Sequence, residues 1–229
     1  MSCIHSIIAF DNMFKRLITI HRLPTIADPP EWSNLDGEMV LVKNDINATW
    51  KAMEELVYNS KTKHIGLSNF NCQLLRQILS VARIRPTSLQ IEWHPHLSLS
   101  QAKLIRFARE AGIRVSSFSC LGGASYISIS LDMATVNDLL FENAIILEIC
   151  RIHKKTAAQV MLRWAIQRNT LPINNSSSGA RMRENREVFD FYLTKEEMKA
   201  IDSLNKNHRY NDPGHFCEGG MGTFCPIYE

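Results

Sequence analysis

HIGLSNFNCQLLRQILSVARIRPTSLQIEW, residues 64–93, carries the reading on which the fold turns. His64 to Ser68 is a short apolar run closed by polar residues, the pattern of a buried strand. Asn71 to Val81 places Leu74, Leu75, Ile78 and Leu79 three and four apart, which is one face of a helix. Ser88 to Trp93 is again a strand. Strand, helix and strand in succession imply a crossover and a parallel pair.

The alternation continues on both sides. Ile4 to Phe10 reads as a first strand or helix turn packing on the core, and Arg16 to Leu23 as a strand ending near Pro24. A polar loop runs from Thr25 to Asn44. Asp45 then opens a helix whose Trp50, Met53, Leu56 and Val57 share a face. Downstream, Ser98 to Ala111 reads as a helix stopped by Gly112, Arg114 to Cys120 as a strand, and Leu121 to about Asn137 as a loop. Helices follow over 142–153 and 156–168, a last strand over Thr170 to Asn174, and helices over 180–188 and 194–205. Thr194 with Glu197 matches a capping box. The expected class is α/β with a parallel sheet, either doubly wound or a barrel. No G-x-G-x-x-G or G-x-x-x-x-G-K-[ST] occurs, so neither glycine-rich phosphate turn is supported.

Composition narrows the function classes. The chain has 229 residues, 45% hydrophobic and 21% charged, which is globular rather than disordered. A net charge of +3 is too small to argue for nucleic acid. No run of 18 apolar residues suggests a membrane span, and no signal peptide is legible. Six scattered cysteines without a C-x-x-C pair argue against zinc and fit reduced thiols, so a cytoplasmic protein is expected. His94 and His96 flank Pro95; a metal pair there is weighed against loop histidines, and the loop reading is preferred, with no metal expected. The strand ends are polar: His21, Ser68 and Asn69, Gln90 and Glu92, Ser119 and Cys120, and 174–178. Such residues converging at one end of a buried parallel sheet suggest a ligand site, with solvated strand ends as the alternative.

Gly66-Leu67-Ser68-Asn69-Phe70, followed by Gln90-Ile91-Glu92-Trp93-His94-Pro95, resembles the aldo-keto reductases. The likeness extends through 49–57 (TWKAMEELV), Leu162-Arg163-Trp164-Ala165 and Arg209-Tyr210-Asn211-Asp212-Pro213, and looks most like the fungal xylose reductase branch. It runs from about Arg16 to Pro213. The resemblance implies a (β/α)₈ TIM barrel that binds NADP(H), or in some members NAD(H), and reduces a small carbonyl or sugar to an alcohol.

By the same resemblance, Ser68, Asn69 and Gln90 hold the nicotinamide carboxamide, which needs both donors and acceptors; taken singly, Ser68 or Asn69 reads as a helix N-cap. Phe118 takes the place of the stacking aromatic. Ser119, Cys120, Leu121 and Gly122 match the loop crossing the pyrophosphate. After the last strand, Asn175, Ser176 and Ser177 stand where the family has a lysine and serine that meet the 2′-phosphate. Asn175 adds no charge there, so weaker discrimination for NADP(H) is expected. Arg181 matches the phosphate-binding arginine, and Glu184 and Asn185 the adenine and ribose contacts. Ser128 stands in place of a ribose-binding glutamate. Asn211 matches a substrate-loop position, Gly214 and His215 replace a bulky tryptophan, and Trp93 is either a pocket wall or a buried core aromatic.

The implied chemistry uses a tyrosine, lysine, aspartate and histidine to protonate a carbonyl oxygen as hydride arrives. Ile20-His21 fits the histidine; on its own it reads as a satisfied strand-end histidine. No tyrosine precedes Tyr58. A barrel of about 250 residues implies ~31 per unit, so residues 1–229 are expected to be a single oxidoreductase domain incomplete at its N-terminus: a partial barrel with about five parallel strands, the family's fourth to eighth. Open edges would favour aggregation or a partner. Two functions follow: an aldo-keto reductase with weak activity in this chain, or a catalytically inactive truncated paralogue that binds nucleotide or protein. The sequence carries no signal for oligomeric state.

Overall fold

A computed structural model describes residues 7–9, 17–21, 45–128 and 134–212, with backbone alone described for 7–9 and 17–21. The described chain divides into two compact units: residues up to 90 with 110–114 and 212, and residues 91–109 with 115–211.

The first unit contains β1 (Ile7–Ala9), β2 (Leu17–His21), α1 (Ile46–Tyr58), β3 (His64–Ser68), α2 (Cys72–Val81) and the start of β4 (Ser88–Glu92). β1 is antiparallel to β2, with Ile7 opposite Ile20. β2 runs parallel to β3 from Leu17 opposite His64 to His21 opposite Ser68. β3 runs parallel to β4, with Ser68 opposite Gln90. Ile65, Leu67, Leu89 and Ser68 are all fully enclosed, as expected where both faces of a parallel strand are covered. The Asp45 carboxylate caps α1 by accepting from the N–H of Asn47 and Ala48 at 2.9 and 3.1 Å. Trp50 and Met53 face inward as their spacing predicts. Glu54 is also buried, against the polar pattern, because one carboxylate oxygen accepts the N–H of Arg83 and of Ile84 at 2.7 and 2.8 Å.

The second unit contains α3 (Ala102–Glu110), β5 (Arg114–Phe118), α4 (Ala124–Ser128), α5 (Ala144–His153), α6 (Ala157–Gln167), β6 (Leu171–Pro172), α7 (Gly179–Arg186) and α8 (Lys195–Asp202). β5 and β6 are parallel, with Ser116 opposite Leu171. Thus all five parallel strands read from sequence are present. The last is shorter than the expected 170–174, since Pro172 has no N–H to give a ladder, although the N–H of Ile173 still donates to the Ser117 carbonyl at 2.8 Å. The expected loop from Leu121 contains α4; residues 129–133 lie outside the described residues. Helix α3 begins at Ala102 rather than at Ser98, because a 3₁₀ turn over Pro95–Leu97 precedes it. Capping boxes close the N-termini of α6 (Thr156 with Gln159) and α8 (Thr194 with Glu197). In α6, residues Ala158 to Ala165 are all buried. Trp164 of that helix, fully enclosed, stacks on Trp93 with ring centroids 5.4 Å apart and planes at 16°.

Among the described residues no helix is long and apolar enough to cross a membrane, and no group of three or more His, Cys, Asp or Glu side chains is placed to hold a metal.

Candidate functional site

In the first unit, the polar ends of β3 and β4 come together. Ser68 and Gln90 are register partners, and the N–H of Asn69 donates to the Gln90 carbonyl at 2.9 Å. Asn69 adopts a left-handed φ of 59°, a conformation asparagine tolerates better than most residues. The capping role is taken by Asn71, whose side chain accepts from the Leu74 N–H at 3.0 Å, so Asn69 is not the cap of α2. The Ser68 hydroxyl and the Asn69 side-chain amide oxygen are both buried, with no hydrogen-bond partner among the described residues. A buried polar atom left unpaired costs about 1–3 kcal/mol, so two of them side by side make a candidate place for a polar ligand. The residues present fit a primary amide: a hydroxyl that donates or accepts, an amide oxygen that accepts, and the Gln90 amide, which does both. His21 lies opposite Ser68 in the backbone register; its side chain lies outside the described atoms.

In the second unit, β4 ends on a buried polar cluster. The Glu92 carboxylate is fully enclosed. His94 Nε2 lies 2.9 Å from Oε1, the N–H of Tyr210 donates to Oε1 at 2.7 Å, and the N–H of Asn211 donates to Oε2 at 3.1 Å. Arg209 approaches Oε2 at 3.6 Å. Burial alone would raise the Glu92 pKa, but the hydrogen bond and charge of His94, the charge of Arg209 and the Tyr210 N–H together outweigh it and lower it. Burial lowers His94, against the opposing pull of Glu92. A neutral His94 therefore donates from Nε2, and its buried Nδ1 has no partner among the described residues. His96 Nδ1 lies 2.7 Å from the Tyr210 hydroxyl. Both histidines lie in the turn around Pro95, as a loop reading expects, but they are buried there at 0% and 3% exposure.

This cluster sets a pH response. Burial, then the charges of Lys206 and His94, lower His96 from 6.5 to about 4. Between those values the unfolded chain binds a proton that the folded chain does not, so stability is full above pH 6.5 and falls as pH drops toward 4. His94 shifts the same way. At still lower pH Glu92 and Asp138 add to the loss; Asp138 is held at about 2 because hydrogen bonds from Thr135 and Lys206 outweigh its burial. Urea midpoints measured from pH 7 to pH 4 are expected to decline through this window; a flat series would contradict the burial of both histidines.

The loop after β5 is held by its own contacts. Phe118 is half-buried and its carbonyl accepts from the Trp93 N–H at 3.2 Å. The Ser119 hydroxyl lies 2.8 Å from the Tyr126 hydroxyl, with Ser119 at a φ of 53°. Cys120 is buried, its thiol donates to the Ser117 carbonyl, and burial pushes its pKa up to about 11. Leu121 packs against the cluster of Cys120, Leu162 and Val188. Gly122 has a φ of 80°, and a Cβ there would stand 2.8 Å from Leu140 Cδ1, so only glycine fits the turn.

Between β6 and α7, Asn175 and Ser177 are exposed. The Ser176 hydroxyl bonds to the N–H and carbonyl of Ser178, and Ser178 caps α7 by accepting from the Arg181 N–H at 3.4 Å. Arg181 is exposed and Asn185 half-buried. The Glu184 carboxylate accepts the Thr156 hydroxyl through one oxygen at 2.6 Å. Trp93 is 3% exposed and packed on Trp164, which places it in the core. Gly214 and His215 lie outside the described residues, as does the side chain of Ser128. Sequence reasoning missed Tyr126, Tyr210 and the Glu92–His94 pair as one cluster; the alternating polar residues of Glu92, His94 and His96 were the available signal.

Residues 14–206 match the aldo/keto reductase family. The chain is 44% identical over 193 residues to a protein of Emericella nidulans named "Probable NAD(P)H-dependent D-xylose reductase", an alignment covering 84% of this chain and 60% of that protein. It is 38% identical over 205 residues to the NAD(P)H-dependent D-xylose reductase of Aspergillus niger, covering 90% and 62%. It superposes on the aldose reductase of Schistosoma japonicum with a TM-score of 0.75 at 32% identity, covering 92% of this chain and 64% of that one. The chain therefore spans about 60% of the length of the curated relatives it matches.

Proposed function

Because the chain belongs to the aldo/keto reductase family, we propose that it binds NADP(H) or NAD(H) and serves the reduction of a small carbonyl, an aldose such as xylose, to the alcohol. The observation that carries the binding half of this reading is the pair of unpartnered buried atoms on Ser68 and Asn69 beside Gln90. A nicotinamide carboxamide presents one acceptor oxygen and two N–H donors, and these side chains complement them. The bound cofactor supplies the hydride. The chain's own residues bind, orient and exclude water around it: Phe118 offers an aromatic face, the turn from Ser119 to Gly122 approaches phosphate, and Asn175, Ser176, Ser177, Arg181, Glu184 and Asn185 meet the adenosine end. His21 hydrogen-bonds and orients the carbonyl oxygen, and Asn211 meets the sugar. The core position of Trp93 gives it a packing role.

The test is a fluorescence titration of the full chain with NADPH and with NADH. Ser68→Ala is expected to weaken both by about fivefold, the worth of one hydrogen bond, while leaving stability unchanged or raised, because the hydroxyl it removes has no partner among the described residues. Comparable affinities for the two nucleotides are expected from the neutral Asn175. Failure of the chain to bind either nucleotide, or Ser68→Ala binding like the parent, defeats the proposal.

A further inference from the structure

We infer that Glu92 is a positioning residue that, through Tyr210 and Tyr126, holds the C-terminal segment bearing Asn211 and the loop after β5 in one fixed arrangement. The functional consequence rests on the proposed roles of Asn211 and Ser119; the structural coupling does not.

The segment 206–211 has no regular secondary structure, so its peptide groups need acceptors from elsewhere. Glu92 supplies them with both oxygens, one to the N–H of Tyr210 and one to the N–H of Asn211. These are charge-assisted bonds to a carboxylate with no solvent exposure, the setting in which losing an acceptor matters most. The Tyr210 ring is then held from several sides. His94 and His208 each lie 4.7 Å from it between centroids, and its hydroxyl meets His96.

The remaining side faces the loop. Tyr126 of α4 stacks on Tyr210 at 5.9 Å with planes at 27°, and its hydroxyl reaches Ser119. The loop backbone lies equally close: a Cβ on Gly123 would stand 2.9 Å from Tyr210 Cε1. One ring thus forms a wall for both segments. Moving either one out of place opens the packing of the other, so a ligand that orders the Ser119 turn also orders the Asn211 segment, and the reverse by linkage.

Hydrogen exchange of the full chain without nucleotide tests this independently of whether cofactor binds. In Glu92→Gln an amide N–H replaces one accepting oxygen. Exchange at Tyr210 and Asn211 is expected to rise about tenfold, with a rise also over 119–126 and none in α6. Tyr126→Ala is expected to raise exchange at Tyr210 and Asn211, and Tyr126→Phe, which keeps the stack and loses only the hydroxyl, to restore it. The tyrosine pair stands as the test should Glu92→Gln not fold. A rise confined to 210 and 211 in Glu92→Gln, a uniform rise that includes α6, or no difference between the Tyr126 variants would each overturn the inference.

Discussion

Trp164→Ala is expected to lower the unfolding free energy by about 3–5 kcal/mol, the usual range for emptying a core aromatic site. Trp164 is fully enclosed, stacks on Trp93, and donates its indole N–H to Asp202 at 3.0 Å. Truncation removes the ring from a helix whose residues Ala158 to Ala165 are all buried, so the surroundings have little freedom to collapse into the space. It also takes one donor from Asp202, which keeps its ion pair with Arg168. Trp164→Phe separates the two effects. It retains an aromatic face against Trp93 and loses the indole N–H, for an expected cost of about 1–2 kcal/mol. Urea unfolding of both variants checks this. An alanine variant within about 1 kcal/mol of the parent would mean that the stack is not packed as described. Trp93 directly precedes His94, so the alanine variant should also loosen the buried cluster at Glu92.

Glu54→Ala is expected to cost about 2–4 kcal/mol, since hydrogen bonds to a charged acceptor are worth more than neutral ones and two part-buried N–H groups lose theirs together. A single oxygen, Oε1, accepts both the Arg83 and Ile84 N–H groups. One acceptor atom is therefore enough. Glu54→Gln, which keeps a carbonyl oxygen at that place, should recover more than half of the loss. Equal destabilisation by both variants would show that the charge, rather than the acceptor, is what holds the turn. That turn leads into β4 and thus to Gln90, so weakened nucleotide binding in Glu54→Ala is the functional counterpart.

Much of the candidate site is legible in sequence because it sits where strands end. Polar residues at the ends of apolar strands stand out locally, and Ser68, Asn69 and Gln90 do so within the stretch that also defines two strands and a helix. What was not legible is who bonds to whom. Ser68 and Asn69 read equally well as helix caps until the structure showed Asn71 in that role. Glu54 looks like a solvent-facing residue of an amphipathic helix, because its partners are backbone N–H groups far along the chain, and backbone carries no sequence signature. Glu184 reads as a ligand contact, and its bond from the Thr156 hydroxyl shows only in the structure.

By itself, the sequence determined the order and type of most elements, the parallel pairing of the five later strands and the family, since each of these depends on periodicity, end signals and short motifs carried by neighbouring residues. Tertiary structure alone decided that His94 and His96 are buried, that Trp93 packs on Trp164, and that Glu92 grips the backbone of Tyr210 and Asn211. Those outcomes depend on which distant segments meet in a medium without water, where every buried donor and acceptor must find its partner in space.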